Sequence, residues 1–162
     1  MDASGQKPIS IELMRMSSSR YGADMEPHKY SFELKSDLSE LKALCQHLNK
    51  FGRATGISEA CITDVNICLD ELFTNTVSYG FKDDLEHIIR FTMELDNRVL
   101  TLIIEDEGIP FNPLEKKDPE VPADLIDVSI GGLGIHIVRK LMDALSYKRE
   151  SNKNKFTMKK FI

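Results

Sequence analysis

The chain has 162 residues, 41% of them hydrophobic and 29% charged, with a formal net charge of -5. That length holds one domain with a substantial core, and the balance is that of a folded globular protein and not of a disordered chain. Lys and Arg are scattered, which excludes the basic stripe that direct nucleic-acid binding needs, and no apolar run nears the roughly 18 residues of a membrane-spanning helix.

Residues 1–27 mix Ser, Gly, Pro and charge without a period, as in "MSSSRYGADMEP", and are expected to form a flexible extension. The opening "MDASGQKPIS" lacks the apolar centre of a signal peptide, so a cytoplasmic location is expected. The ordered domain is expected over 28–162. Tyr30, Phe32 and Leu34 alternate with polar residues, the period of a half-buried strand. Leu38, Leu41, Leu44, Cys45, Leu48 and Phe51 then recur at spacings of three and four, which predicts an amphipathic helix capped by Ser36 or Asp37 and stopping near Gly52. Ser58 is placed to cap a second helix with Ile62, Val65, Leu69 and Leu72 on its apolar side, ending around Gly80. Cys61 and Cys68 lie on similar sides of it. An odd count of three cysteines without CxxC spacing predicts buried, reduced thiols.

"HIIRFTMEL" and "RVLTLIIED" are rich in β-branched and aromatic residues, and the dipeptide "DN" between them suits an antiparallel hairpin. Residues 107–130 then carry four of the six prolines and no clear period, although a short helical turn around Leu125 fits. A connection longer than about 12 to 15 residues inside a compact domain marks a functional loop or lid. Gly131 announces a third helix with Ile137, Val138, Leu141, Met142 and Leu145 on its inner face, and "LSYKRE" and "KFTMKKFI" close the chain as strands around the turn "SNKN". Runs of helices and of antiparallel strands in one small domain predict an α+β fold, a two-layer α/β sandwich. Its sheet is mixed and mainly antiparallel, with the helices on one face.

Three stretches carry chemistry. In "LDELFTNTVSYGF", Glu71 and Asn75 are four apart and share one helix face, with Asp64 and Ser78 near the same stripe. A solvated face accounts for Glu71, but Asn is a poor residue for a helix interior unless its amide has a task there. An amide oxygen can ligate Mg²⁺, and a neighbouring carboxylate can deprotonate an attacking hydroxyl. In "IIEDEGIPFNP", Asp106 ends a buried strand, where a carboxylate at the mouth of an apolar pocket can accept from an exocyclic amine, and Gly108 lets the chain turn against a base. An acidic strand end before a Pro-rich turn is the plainer account. In "GGLGIHIVRK", Gly131, Gly132 and Gly134 open a helix whose free N–H groups and partial positive charge suit a phosphate. Taken singly, those glycines also read as a turn and a packing contact.

The order of the three resembles the GHKL ATPase superfamily, with its Bergerat fold, from about His28 to the end of the chain. It looks closest to the anti-sigma-factor serine kinases, the RsbW-like group, whose "E-x-x-x-N", "D-x-G-x-P-F" and "G-G-x-G-I" boxes are matched here. The resemblance implies ATP and Mg²⁺ as cofactors, Glu71 as general base, Asn75 as magnesium ligand, Asp106 with Gly108 at the adenine, Gly131, Gly132 and Gly134 at the phosphates, and residues 107–130 as the ATP lid. It further implies an anti-sigma-factor-type serine/threonine kinase. Such an enzyme phosphorylates a small antagonist (anti-anti-sigma) protein and sequesters a sigma factor, as a homodimer. The alternative is a non-catalytic, ATP-dependent partner-binding module of the same fold. Three positions depart from the wider pattern: Tyr79 where many members have His, Pro110 in place of a second glycine, and Asn154 with Lys155 near the place of a Gly-Thr pair. The last contact is therefore not carried over.

Overall fold

A computed structural model describes residues 27–115 and 133–162. Residues 1–26 of the expected extension, the turn expected around Leu125, most of the expected lid, and Gly131 and Gly132 lie outside the described residues. Among the described residues the chain runs β1 (His28–Lys35), α1 (Leu41–Thr55), α2 (Glu59–Tyr79), β2 (Ile88–Asp96), β3 (Val99–Asp106), α3 (Leu133–Leu141), β4 (Ala144–Glu150) and β5 (Lys153–Phe161). The five strands form one sheet in the order β1-β2-β3-β5-β4. Its four pairings are all antiparallel, so the α+β expectation holds, while the expected mixed sheet is corrected to an antiparallel one among the described residues.

Alternation along β3 buries Leu100, Leu102, Ile104 and Asp106 and leaves the residues between them half-exposed. The same period on β5 buries Asn154, Phe156 and Met158, so a polar pair ends an otherwise apolar row. The helices cover that face. Phe73 from α2, fully buried, meets Phe91 of β2 at 5.9 Å between ring centroids, and Phe91 stacks on Phe32 of β1 at 5.1 Å.

The Ser58 cap is as expected, its Oγ accepting from the Cys61 N–H at 3.3 Å. The first helix differs. Asp37 caps a short 3-10 turn, Leu38–Glu40, which leaves Leu38 exposed, while Ser36 Oγ accepts from the His87 N–H instead. The helix also continues past Gly52 to Thr55, and Gly56 ends it at φ 70. Gly52 is there for packing: a Cβ on it would sit 2.6 Å from Ile62 Cδ1 of α2. On α3 the buried residues are Ile135 and Val138, with Met142 just beyond the helix. Ile137 is only half-buried, and Leu145 belongs to β4, opposite Met158. The first hairpin turn lies one step beyond the expected Asp96–Asn97, with positive φ at Asn97–Arg98, and the second is shorter than the expected four residues, with positive φ at Ser151–Asn152. Two residues suffice to reverse the chain in that conformation, so Lys153 and Asn154 are already strand.

All three cysteines are free. Burial pushes the Cys68 thiol up to about 12 and raises Cys61 as well, which keeps both protonated and unreactive at neutral pH. Titration of the native protein at pH 8 with an aromatic disulfide is expected to consume Cys45 first, since it is only half-buried. Cys61 and Cys68 should react at an appreciable rate only after denaturation; three thiols reacting together in the native state would contradict this packing.

Candidate functional site

Glu71 and Asn75 lie one turn apart in the C-terminal half of α2, and both are half-buried. Asn75 faces a pocket at the end of the sheet, lined also by Leu72, Ile104, Asp106, Tyr147 and Asn154. Apolar walls with a few polar groups at one end form the kind of slot that accepts a flat heterocycle. Among the described residues, the Asn75 amide has no hydrogen-bond partner and remains available to a guest.

Asp106 is 8% exposed, and its position follows from the β3 alternation, which turns it to the same side as the core. Gly108 N–H donates to its Oδ1 at 2.8 Å, and the Asn154 amide donates to the same oxygen at 2.8 Å. Oδ2 takes neither bond. Gly108 is also confined by its neighbours. A Cβ there would collide with the Gly80 carbonyl oxygen and come within 2.8 Å of Asp106 Oδ1. That carbonyl accepts from Ile109 N–H at 2.8 Å, so the close approach ties the end of α2 to the end of β3.

Gly134, the second residue of α3, lies against Glu71: a Cβ on Gly134 would collide with Glu71 Oε2. The helix that opens with the glycine-rich stretch is thus packed onto the helix carrying the acid. Asn75 and Asp106 thus line one pocket, Gly108 bonds to Asp106, and Glu71, one helical turn before Asn75, lies against Gly134. Asp64 does not join them. It pairs with Lys160 at 3.2 Å, beside a larger open pocket of about 770 Å³ that contains none of those five residues. Ser78 is exposed. Asp70, next to Glu71, accepts from Asn66 at 3.0 Å, and burial, with a smaller push from Glu71, holds its carboxyl above the usual range.

Asn154, which sequence reasoning set aside as a departure from the family pattern, lines this pocket too. It lies opposite Asp106 in the β3–β5 ladder and is 7% exposed. Tyr147 and Arg149 of β4 both donate to its Oδ1 at 2.8 Å, and Arg149 also donates to the Gly108 carbonyl at 2.8 Å. An Asn-Lys pair among polar turn residues gave no hint of burial. Only the register reveals it.

Together these features define an α+β domain in which a helix amide and a strand-end carboxylate line one pocket, with a helix acid one turn away. Residues 34–160 match the family described as the histidine kinase-like ATPase domain, and the chain belongs to that family. Membership implies ATP binding. Among curated relatives, the serine/threonine-protein kinase BtrW of Bordetella bronchiseptica is 32% identical over 94 residues, 58% of this chain and 66% of that one. The serine-protein kinase RsbW of Bacillus subtilis is 34% identical over 96 residues, 56% and 59% of the two chains. The anti-sigma F factor of Clostridium acetobutylicum is 28% identical over 131 residues, 75% and 91% of the two. The chain therefore spans somewhat less than two thirds of the first two relatives. A crystal structure of the RsbU and RsbW domains of a Mycobacterium tuberculosis protein shares the fold, with TM-score 0.60 at 12% identity over 83% of this chain and 32% of that one. Among the described residues, no helix is long and apolar enough to cross a membrane.

Proposed function

We propose that this protein is a Mg²⁺- and ATP-dependent serine/threonine protein kinase of the anti-sigma-factor type, phosphorylating a small antagonist protein and, when free of it, holding a sigma factor. The observation that carries the reading is the convergence of Asn75 and Asp106 on one pocket while Glu71 abuts Gly134 at the start of α3. In this reading residues 28–162 form the catalytic domain and residues 107–130 its lid. Asp106 accepts from the amino group of adenine, and Gly108 lets the strand end close on α2. Gly131, Gly132 and Gly134 approach the phosphates. Glu71 takes the proton of the attacking seryl or threonyl hydroxyl; the oxygen bonds to the γ-phosphorus as the bond to the β-bridging oxygen breaks, and ADP leaves.

Mg²⁺, when bound, spreads the negative charge of the phosphate oxygens. The Asn75 amide oxygen suits so hard a cation, and it is not engaged by any described neighbour. Among the described residues no three His, Cys, Asp or Glu side chains cluster, so the other ligands would be phosphate and water oxygens. A homodimer and a cytoplasmic setting belong to the same proposal, the first resting on the resemblance and the second on the lack of a signal-peptide pattern in the opening residues.

The test combines melting with label transfer. Mg·ATP at 100 times its Kd is expected to stabilise the native state by about 2.7 kcal/mol, read as a rise in Tm. Labelled ATP should then pass its γ-phosphate to a candidate antagonist. A rise in Tm without transfer would favour the non-catalytic partner-binding alternative, and no rise with any adenine nucleotide would remove the nucleotide reading altogether.

A further inference from the structure

We infer that Asn154 is the positioning residue that makes the site selective for a 6-aminopurine, by locking the Asp106 carboxylate in a single orientation. This rests on the proposed nucleotide reading and adds to it a residue outside the three sequence motifs. The argument begins with a count. The Asn154 amide gives one proton to Asp106 Oδ1 at 2.8 Å and the other to the Ile109 carbonyl at 2.9 Å, while its oxygen takes one bond from Tyr147 and one from Arg149. Two donors and two acceptor positions are the full capacity of a primary amide. Turning the amide over would set its protons against the donors Tyr147 and Arg149, and its oxygen against two other oxygens. Its orientation is therefore fixed by its surroundings.

That fixed amide acts on the pocket in two ways. With the Gly108 N–H it occupies Asp106 Oδ1, so Oδ2 is the oxygen left to face a guest. It also grips the Ile109 carbonyl, while Arg149 grips the Gly108 carbonyl at 2.8 Å, so the backbone leaving β3 is held by the neighbouring strand β5 and by the edge strand β4. Asn154 and Asp106 are each more than nine-tenths buried, where a hydrogen bond to a carboxylate is strong and a rotated carboxylate would leave a polar group unpaired. A carboxylate oxygen held in this way accepts from the amine at position 6 of adenine. It repels the keto oxygen that hypoxanthine carries at the same position.

ATP and inosine triphosphate differ only at positions 1 and 6 of the base, an acceptor N1 beside an amine against an N1–H beside a keto oxygen, so the ratio of their dissociation constants reads how Asp106 meets that edge without reading the sugar and phosphate contacts. The wild-type protein is expected to prefer Mg·ATP by about tenfold or more, the loss expected when a buried charged group has its hydrogen bond replaced by a clash. In Asn154→Ala the ratio should fall to near one, mostly through weaker ATP binding. Tyr147→Phe keeps the ring, removes one of the two donors to Asn154, and should lower the ratio part of the way. It decides the matter if Asn154→Ala does not fold. A merely structural role for Asn154 would weaken both nucleotides equally and leave the ratio unchanged; that result in either folded variant overturns the inference while the proposed function stands. Wild-type protein that binds neither nucleotide overturns both.

Discussion

Exchanging Glu71 for glutamine is expected to slow phosphoryl transfer to the antagonist by about 10² to 10⁴-fold, the usual contribution of a positioned general base. Mg·ATP affinity should change little. The amide has the shape of the carboxylate, so packing against Gly134 is retained, but it cannot take the hydroxyl proton. Single-turnover label transfer measures the first quantity, and calorimetric titration of Mg·ATP the second. Gly134→Ala approaches the same group from the other helix. Its new methyl group would displace Glu71 Oε2, the free end of a flexible side chain, so α3 should fold and the rate should fall. Transfer at the wild-type rate in Glu71→Gln would leave the acid without a chemical role.

Gly108→Ala is expected to weaken the fold and the site together. Its Cβ would run into the Gly80 carbonyl, with the carbonyl carbon at 3.0 Å and Asp106 Oδ1 at 2.8 Å. Neither obstacle yields easily: the carbonyl is bonded to Ile109 N–H at 2.8 Å, and the carboxylate is held by Asn154. The α2 end and the β3 end must move apart. Overpacking of this kind costs about 1 to 3 kcal/mol. Urea unfolding should show the lower midpoint, and Mg·ATP titration at least a tenfold weaker Kd, the equivalent of about 1.4 kcal/mol. An unchanged midpoint and affinity would mean that the junction between Gly80 and Ile109 can relax freely.

Much of this architecture was legible in the sequence because it is local. Ser58 caps α2, the period of Ile62, Val65, Leu69 and Leu72 sets its buried side, and the spacing of Glu71 and Asn75 puts both on one face. The misreadings also have local causes. Gly52 looked like a stop, yet its missing side chain is what admits Ile62 of the neighbouring helix. Ser151 and Asn152 adopt positive φ without any glycine, so the turn looked longer than it is and Asn154 was assigned to the turn. Ile135 displaced Ile137 from the buried side because α3 begins at Leu133 and packs around Gly134, a rotation that the glycine-rich start disguised. Contacts between β3, β4 and β5 depend on strand register across 48 positions, from Asp106 to Asn154, and no short-range period encodes that.

The tight Ser151–Asn152 reversal therefore constrains how this chain can diverge. A single codon inserted there would send every side chain of β5 to the other surface of the sheet, exporting Phe156 and Met158 from the interior in the same stroke that removes Asn154 from Asp106. Recognition and foldability are inherited as one frame. Descendants of this sequence can vary in the identity of residues 151 and 152 far more freely than in their number.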